Sequence, residues 1–182
     1  MKNLAFSILF FFLAVSLNAQ VAIGKTEISS NFVSLEFGNE VGKPEKQKGL
    51  LLPWVIEAKE VNNPEPGTLI FDTTDKKVKY YKGGNTPSWK DLTFNTNGKV
   101  DTSAQDDLES IPTAKVSVGT PKSAPGILVL EDTNKAMILP LIDNYQSIVN
   151  PSPGMIAYDL QHDLLCVFNG TDWTFLAADE II

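Results

Sequence analysis

Short apolar runs alternate along this chain with clusters of Pro, Gly, Asn and Asp, and the alternation is written twice. Asn63-Pro64-Glu65-Pro66-Gly67-Thr68-Leu69-Ile70-Phe71-Asp72 returns as Asn150-Pro151-Ser152-Pro153-Gly154-Met155-Ile156-Ala157-Tyr158-Asp159. Upstream, Leu50 to Pro53 returns as Met137 to Pro140; downstream, Tyr81, Trp89 and Leu92 return as Phe168, Trp173 and Leu176. The apolar positions have a period of two: Leu69 with Phe71, Val78 with Tyr80, Ile156 with Tyr158, Leu165 with Val167. That period places one side chain of each pair of neighbours on each face of a strand. Pro66-Gly67 and Pro153-Gly154 suit the centre of a type II turn, proline presetting the first φ and glycine accepting a positive second φ. The preceding Asn63-Pro64 and Asn150-Pro151 pairs predict extended backbone, because a residue before proline avoids the right-handed helical region. Asn169-Gly170 signals a two-residue hairpin, and Gly83-Gly84 holds its place in the first copy. Each copy is thus expected to form a three-stranded meander closed by Trp89 or Trp173.

The fold class expected is mainly β: two tandem small β-meander modules with one or two short helical turns. Residues 1–19 read as a signal peptide, 20–94 as the first module, 95–115 as a polar linker and 116–182 as a second, more apolar module. Each module opens alike, Val21-Ala22-Ile23-Gly24 beside Val116-Ser117-Val118-Gly119, followed by a short apolar strand in Phe32 to Phe37 or Ile127 to Leu130. Val55 to Val61 and Ile142 to Val149 are each long enough for a helical turn or two before the next proline stops them. A further short helical turn is expected near Leu108, and Asn97-Gly98 marks a turn. The first copy alone carries the loop from Gly42 to Lys46. Ile127 to Leu130, Met137 to Ile142 and Leu164 to Phe168 make the second copy the greasier one, and strands apolar on both faces are normally covered on both.

Compartment follows from the N-terminus. Lys2, the apolar stretch from Leu4 to Leu17 and the small residue Ala19 have the layout of a secretory signal, too short to span a membrane as a helix. Of 182 residues, 163 remain after cleavage at Ala19, and loss of Lys2 takes the formal charge from −7 to −8. An acidic exported chain repels phosphate backbones and anionic membrane surfaces, so neither nucleic acid nor such a surface is an expected partner, and the shortness of the apolar stretch argues against a membrane span. Cys166, the one cysteine, allows no internal disulfide, and its apolar neighbours suit a buried, unreactive thiol.

Catalytic chemistry finds no support. His162, the one histidine, lies at a turn with no second histidine or thiolate to share a metal. The carboxylate pairs Asp106-Asp107 and Glu131-Asp132 sit in loop-like sequence, and neither a serine elbow nor a phosphate-cradling loop occurs. The expectation is a protein without catalytic residues, metal or cofactor. Trp54 and Tyr81 are the candidate contact residues for a partner or ligand. Trp54 has no counterpart in the second copy, where Leu141 stands, and adjacent Tyr80 and Tyr81 face opposite sides of one strand. Pro66, Gly67, Trp89, Pro153, Gly154 and Trp173 recur and are expected to be scaffold.

These motifs resemble tandem β-rich repeat modules of exported Bacteroidota proteins, of fibre and adhesin type. The match rests on Gln20-Val21-Ala22-Ile23-Gly24-Lys25-Thr26, Gly49-Leu50-Leu51-Leu52-Pro53, Asn63-Pro64 with Gly67 to Thr73, Tyr80-Tyr81, and Asn169-Gly170-Thr171-Asp172-Trp173. It covers most of the exported chain twice over. The arginine that follows Leu-Pro in such modules is replaced by Trp54 and Leu141. The resemblance implies a structural or protein-interaction role in the cell envelope. Its partners would be envelope proteins or an outer-membrane complex, and the strands of the second copy, apolar on both faces, add further copies of the chain to the candidates. The ending at Ile182, soon after the last strand, fits a periplasmic or outer-membrane-associated protein better than type IX cargo, with an extracellular location also open. Two other readings accompany it: an accessory subunit of an outer-membrane export (type IX-like) or gliding assembly, and a carbohydrate-binding module that stacks sugars on Trp54 and Tyr81.

Overall fold

The computed structural model describes residues 20–38, 47–103, 113–119, 126–131 and 134–176. The segment 1–19 read as a signal peptide, the loop 42–46 and the expected helical turn near Leu108 lie outside them.

The chain is mainly β, as its period-two pattern requires. In the first copy β1 (Val21–Ile23) lies parallel to β2 (Val33–Phe37). Only residues 24–32 join them, a short arch where parallel strands usually need a dozen or more residues. The arch is held by Glu36, whose carboxylate accepts from Ser29 N at 2.8 Å and Ser29 Oγ at 3.0 Å and pairs with Lys25. After the arch come the short strands β3 (Leu50–Leu51) and β4 (Trp54–Val55). β5 (Leu69–Asp72), β6 (Lys77–Lys82) and β7 (Ser88–Asp91) form the expected antiparallel meander, with β4 added in parallel to β5. The second copy repeats this: β8 (Val116–Gly119) is parallel to β9 (Leu128–Glu131). Then come β10 (Ala136–Ile138) and β11 (Leu141–Ile142). The meander β12 (Met155–Asp159), β13 (Leu164–Phe168) and β14 (Trp173–Leu176) follows, with β11 parallel to β12.

Turns carry the repeat most faithfully. Gly67 and Gly154 have φ of 92° and 83°, and Thr68 N and Met155 N donate to Glu65 O and Ser152 O, closing both type II turns. The Asn-Pro pairs differ from expectation: Asn63 and Asn150 have φ of 48° and 51°. Asparagine tolerates the left-handed region, which also avoids the right-handed helical clash with the following proline. Asn169-Gly170 is not a two-residue hairpin. Phe168 pairs with Trp173, so four residues form the loop, and Asn169 Oδ1 gathers Thr171 N at 2.9 Å and Asp172 N at 2.7 Å. The helix candidates shrink to single 3-10 turns at Ala58–Glu60 and Tyr145–Ser147, because the strands β4 and β11 take the residues before them. Asn97-Gly98 forms no turn. A Cβ at Gly98 would meet Lys76 O at 2.6 Å and Asn169 O at 2.8 Å, so this glycine permits a close passage between two turns.

The copies are not separate in space. Leu52, Phe71 and Val78 from the first and Ile156 and Val167 from the second make one buried cluster. β3 leaves its own copy and pairs antiparallel with β12, Leu51 against Met155. β10 pairs parallel with β2, Met137 against Leu35. Even the segment read as linker begins packed: Val100 joins the core, and Thr171 Oγ1 donates to Asn97 O at 3.0 Å.

Candidate interaction surfaces

The strongest repeated side-chain device is a carboxylate. Asp72 and Asp159 end β5 and β12, and both are essentially inaccessible. Asp72 accepts from Ala58 N at 2.8 Å, Thr74 N at 3.1 Å and Asp75 N at 2.9 Å. Asp159 does the same with Tyr145 N at 2.9 Å, Gln161 N at 2.8 Å and His162 N at 3.0 Å. Each carboxylate therefore ties a 3-10 turn to the start of a hairpin loop. Burial works against the charged form of Asp159, but those N–H donors and His162 outweigh it and hold the carboxyl below its usual range. The sequence reading passed over this pair. Its signal was an acid recurring at the end of an apolar strand in both copies, a place where an apolar or exposed residue would be ordinary.

The faces beside these carboxylates differ between the copies. In the first, buried Lys79 lies 3.5 Å from Asp72 and 3.7 Å from Asp91 and also pairs with Asp75, while Lys77 meets Asp91 at 2.6 Å. Burial lowers the Lys79 ammonium's preference for its proton, yet the three surrounding carboxylates overcome it and raise the pKa. In the second copy Leu164, Cys166, His162 and Phe175 stand where Lys77, Lys79, Asp75 and Asp91 do. His162 Nδ1 lies 3.0 Å from Asp159 Oδ2. Burial, with Asp159 nearby, pushes the Cys166 thiol up to about 11, so it stays protonated and unreactive at neutral pH. Among the described residues no group of three or more His, Cys, Asp or Glu side chains is placed to hold a metal.

What the second copy carries on that face is aromatic. Tyr145 lies edge-on to Phe175, centroids 4.7 Å apart, and 6.1 Å from Trp173, which packs on Phe168 at 5.0 Å. Phe175 remains 39% exposed and Tyr145 and Trp173 are half-buried. Trp173 also covers Ile142, Ile148 and Ala157 from outside. Tyr145 and Phe175 were not among the expected contact residues. Phe175 could have been found by alignment of the copies, since Asp91 is its counterpart.

Of the two residues that were, Trp54 sits at the junction of the copies. Its Nε1 donates to Pro153 O at 2.7 Å, and its ring packs against Phe71 at 6.1 Å. Gly154 lies beneath it, where an added Cβ would come within 2.8 Å of Phe71 Cβ. Tyr81 pairs across strands with Trp89, rings edge-on at 5.2 Å, as Phe168 does with Trp173. Trp54 and Tyr81 are not brought together into one site; each belongs to a different contact. Pro66, Gly67, Pro153 and Gly154 form the type II turns, and Trp89 and Trp173 close the meanders. No helix among the described residues is long and apolar enough to cross a membrane. Comparison with protein-family models, curated proteins and solved structures finds no match.

Proposed function

We propose that this is a non-catalytic, exported β-rich structural and protein-interaction protein of the cell envelope. The supporting observation is the unequal pair of faces. One scaffold, duplicated, carries a self-satisfied charge network in the first copy and the half-open Tyr145, Trp173 and Phe175 cluster in the second. Aromatic side chains give large contact area at small entropic cost and are enriched where proteins meet. The N-terminal signal layout supports export, to the periplasm or to an outer-membrane-associated or extracellular site. A role as accessory subunit of an export or gliding assembly rests on the resemblance alone. Trp54 donates its indole N–H to Pro153 O and packs its ring against Phe71 within the chain, a packing role that counts against its use as a sugar-stacking platform.

The test is affinity purification of the tagged chain from its native envelope, beside a variant carrying Tyr145→Ala and Phe175→Asp. The expected result is a defined envelope protein retained by the parent and lost by the variant. Equal recovery from both would remove the aromatic face from the reading, and glycan binding abolished by Trp54→Ala would replace it with the sugar-binding one.

A further inference from the structure

The two copies touch through non-equivalent surfaces, and each contact is made once. β3 of the first copy pairs with β12 of the second, and β10 of the second pairs with β2 of the first. By the repeat, β10 is the counterpart of β3, β12 of β5, and β9 of β2. A two-fold relation would make every contact in both directions, adding β10 on β5 and β3 on β9. Among the described residues neither pairing occurs. The relation between copies is therefore heterologous, and a heterologous contact leaves two complementary ends unused.

Both ends show it. At the tail, Leu128 on β9 is 42% exposed, whereas Leu35, its counterpart on β2 under β10, is 2% exposed. At the head, Leu51 on β3 is 48% exposed, with one edge of its strand on β12 and, among the described residues, no strand on the other. The type II turns repeat the contrast. Gly154 is buried under Trp54 and Phe71, while a Cβ on Gly67 would meet nothing within 4 Å. Ile156, covered by β3, is buried; Leu69, its counterpart, is half-buried.

We infer that these ends bind each other between chains: the β3 edge and the Pro66–Gly67 turn of one chain dock on the β9 and β10 edges of a second copy. This names a partner for the interaction reading above and rests on it. The occupant follows from the contact already made inside the chain. What the tail lacks is a β3-like strand against β9, and the head carries β3 itself. What the head lacks is a β10-like strand at the start of β5, and the tail carries β10. Strand edges left open in this way are templates for pairing. Two chains close the smallest assembly by using the contact twice; a larger ring or a fibre uses it repeatedly.

The experiment uses the protein as its cells export it, with Leu51→Lys blocking the head and Leu128→Lys blocking the tail. Both positions are exposed, and circular dichroism melts establish that each variant keeps its fold. Light scattering after size exclusion over a concentration series should give two or more chains for the parent and one chain for either variant alone. Mixing the two variants should restore a two-chain complex, because one free head meets one free tail. In the parent, amide exchange in β3 and β9 should slow as concentration rises, which reads the same edges without substitution. A parent that stays a single chain throughout, an assembly indifferent to both substitutions, or variants that fail to complement would each overturn the inference. A single-chain parent that still retains an envelope protein through Tyr145 and Phe175 would overturn it while leaving the interaction reading standing.

Discussion

At the residue scale the molecule turns on Asp72 and Asp159. A carboxylate accepting three backbone N–H bonds in a buried place is not replaceable by an apolar side chain, because the donors then lose their partners. Leaving buried donors unsatisfied costs roughly 1–3 kcal/mol each, and partial relaxation brings Asp159→Ala to about 3 kcal/mol in urea unfolding. Acid should act on the same group. The Asp159 carboxyl is held low in the folded protein, so its contribution is complete above the unfolded value of about 4 and is lost as pH falls below that. Glu36, held low by Lys25 and then by Ser29, acts in the same direction. Unfolding midpoints should be flat from neutral pH to about pH 5 and fall below pH 4, with a shallower fall in Asp159→Asn. Equal acid slopes in parent and variant would show that Asp159 is not the group responsible. Cys166, buried and held in its thiol form, should react with a disulfide reagent only after denaturant is added.

Elements were legible where local chemistry decides them. Pro-Gly fixed both type II turns, and period-two apolar residues located β5, β6, β12 and β13, because both signals act within a few residues. The parallel pairing of β1 with β2 and of β8 with β9, and the passage of β3 and β10 into the other copy's strands, were not legible. Edge pairing of two- and three-residue strands depends on which surface lies nearby and not on the strand's own sequence. The site fared likewise. Trp54 was visible as an unshared residue, but its position over Gly154 comes from the packing of the copies. The two turns make a controlled comparison. Gly67 and Gly154 share a positive φ, so alanine at either costs about 1 kcal/mol of backbone strain. At Gly154 the new Cβ also meets Phe71, and overpacking of that kind adds about 2 kcal/mol. Measured in the Leu51→Lys background, which keeps the chain single, thermal or urea unfolding should therefore separate Gly154→Ala from Gly67→Ala by about that difference. A larger loss at Gly67 would mean its turn is covered in the isolated chain.

At the scale of the whole molecule, sequence duplication has produced a core shared between the copies, beside a smaller cluster of the second copy's own. Leu52, Phe71 and Val78 cannot be buried without Ile156 and Val167, nor can β3 keep its hydrogen bonds without β12. Gln47 adds a polar tie, its Oε1 accepting from Asp143 N at 3.0 Å and Ser147 Oγ at 2.6 Å. Two independent modules would unfold in two steps; a shared core makes either copy's loss the other's. The chain should then show one cooperative transition, with coincident midpoints from aromatic near-ultraviolet signal and from far-ultraviolet backbone signal. Trp54 is the sharpest probe of that coupling, since it belongs to the first copy and rests on Pro153 and Gly154 of the second. Removing it empties a half-buried space and one hydrogen bond, a loss of about 3 kcal/mol for Trp54→Ala. Hydrogen exchange tells shared from local damage. With one core, amides of β12 and β13 lose protection together with those of β5 and β6 when Trp54 is truncated. Loss confined to β4 and β5, with the second copy's strands as protected as before, would mean that the copies fold separately and merely rest on each other.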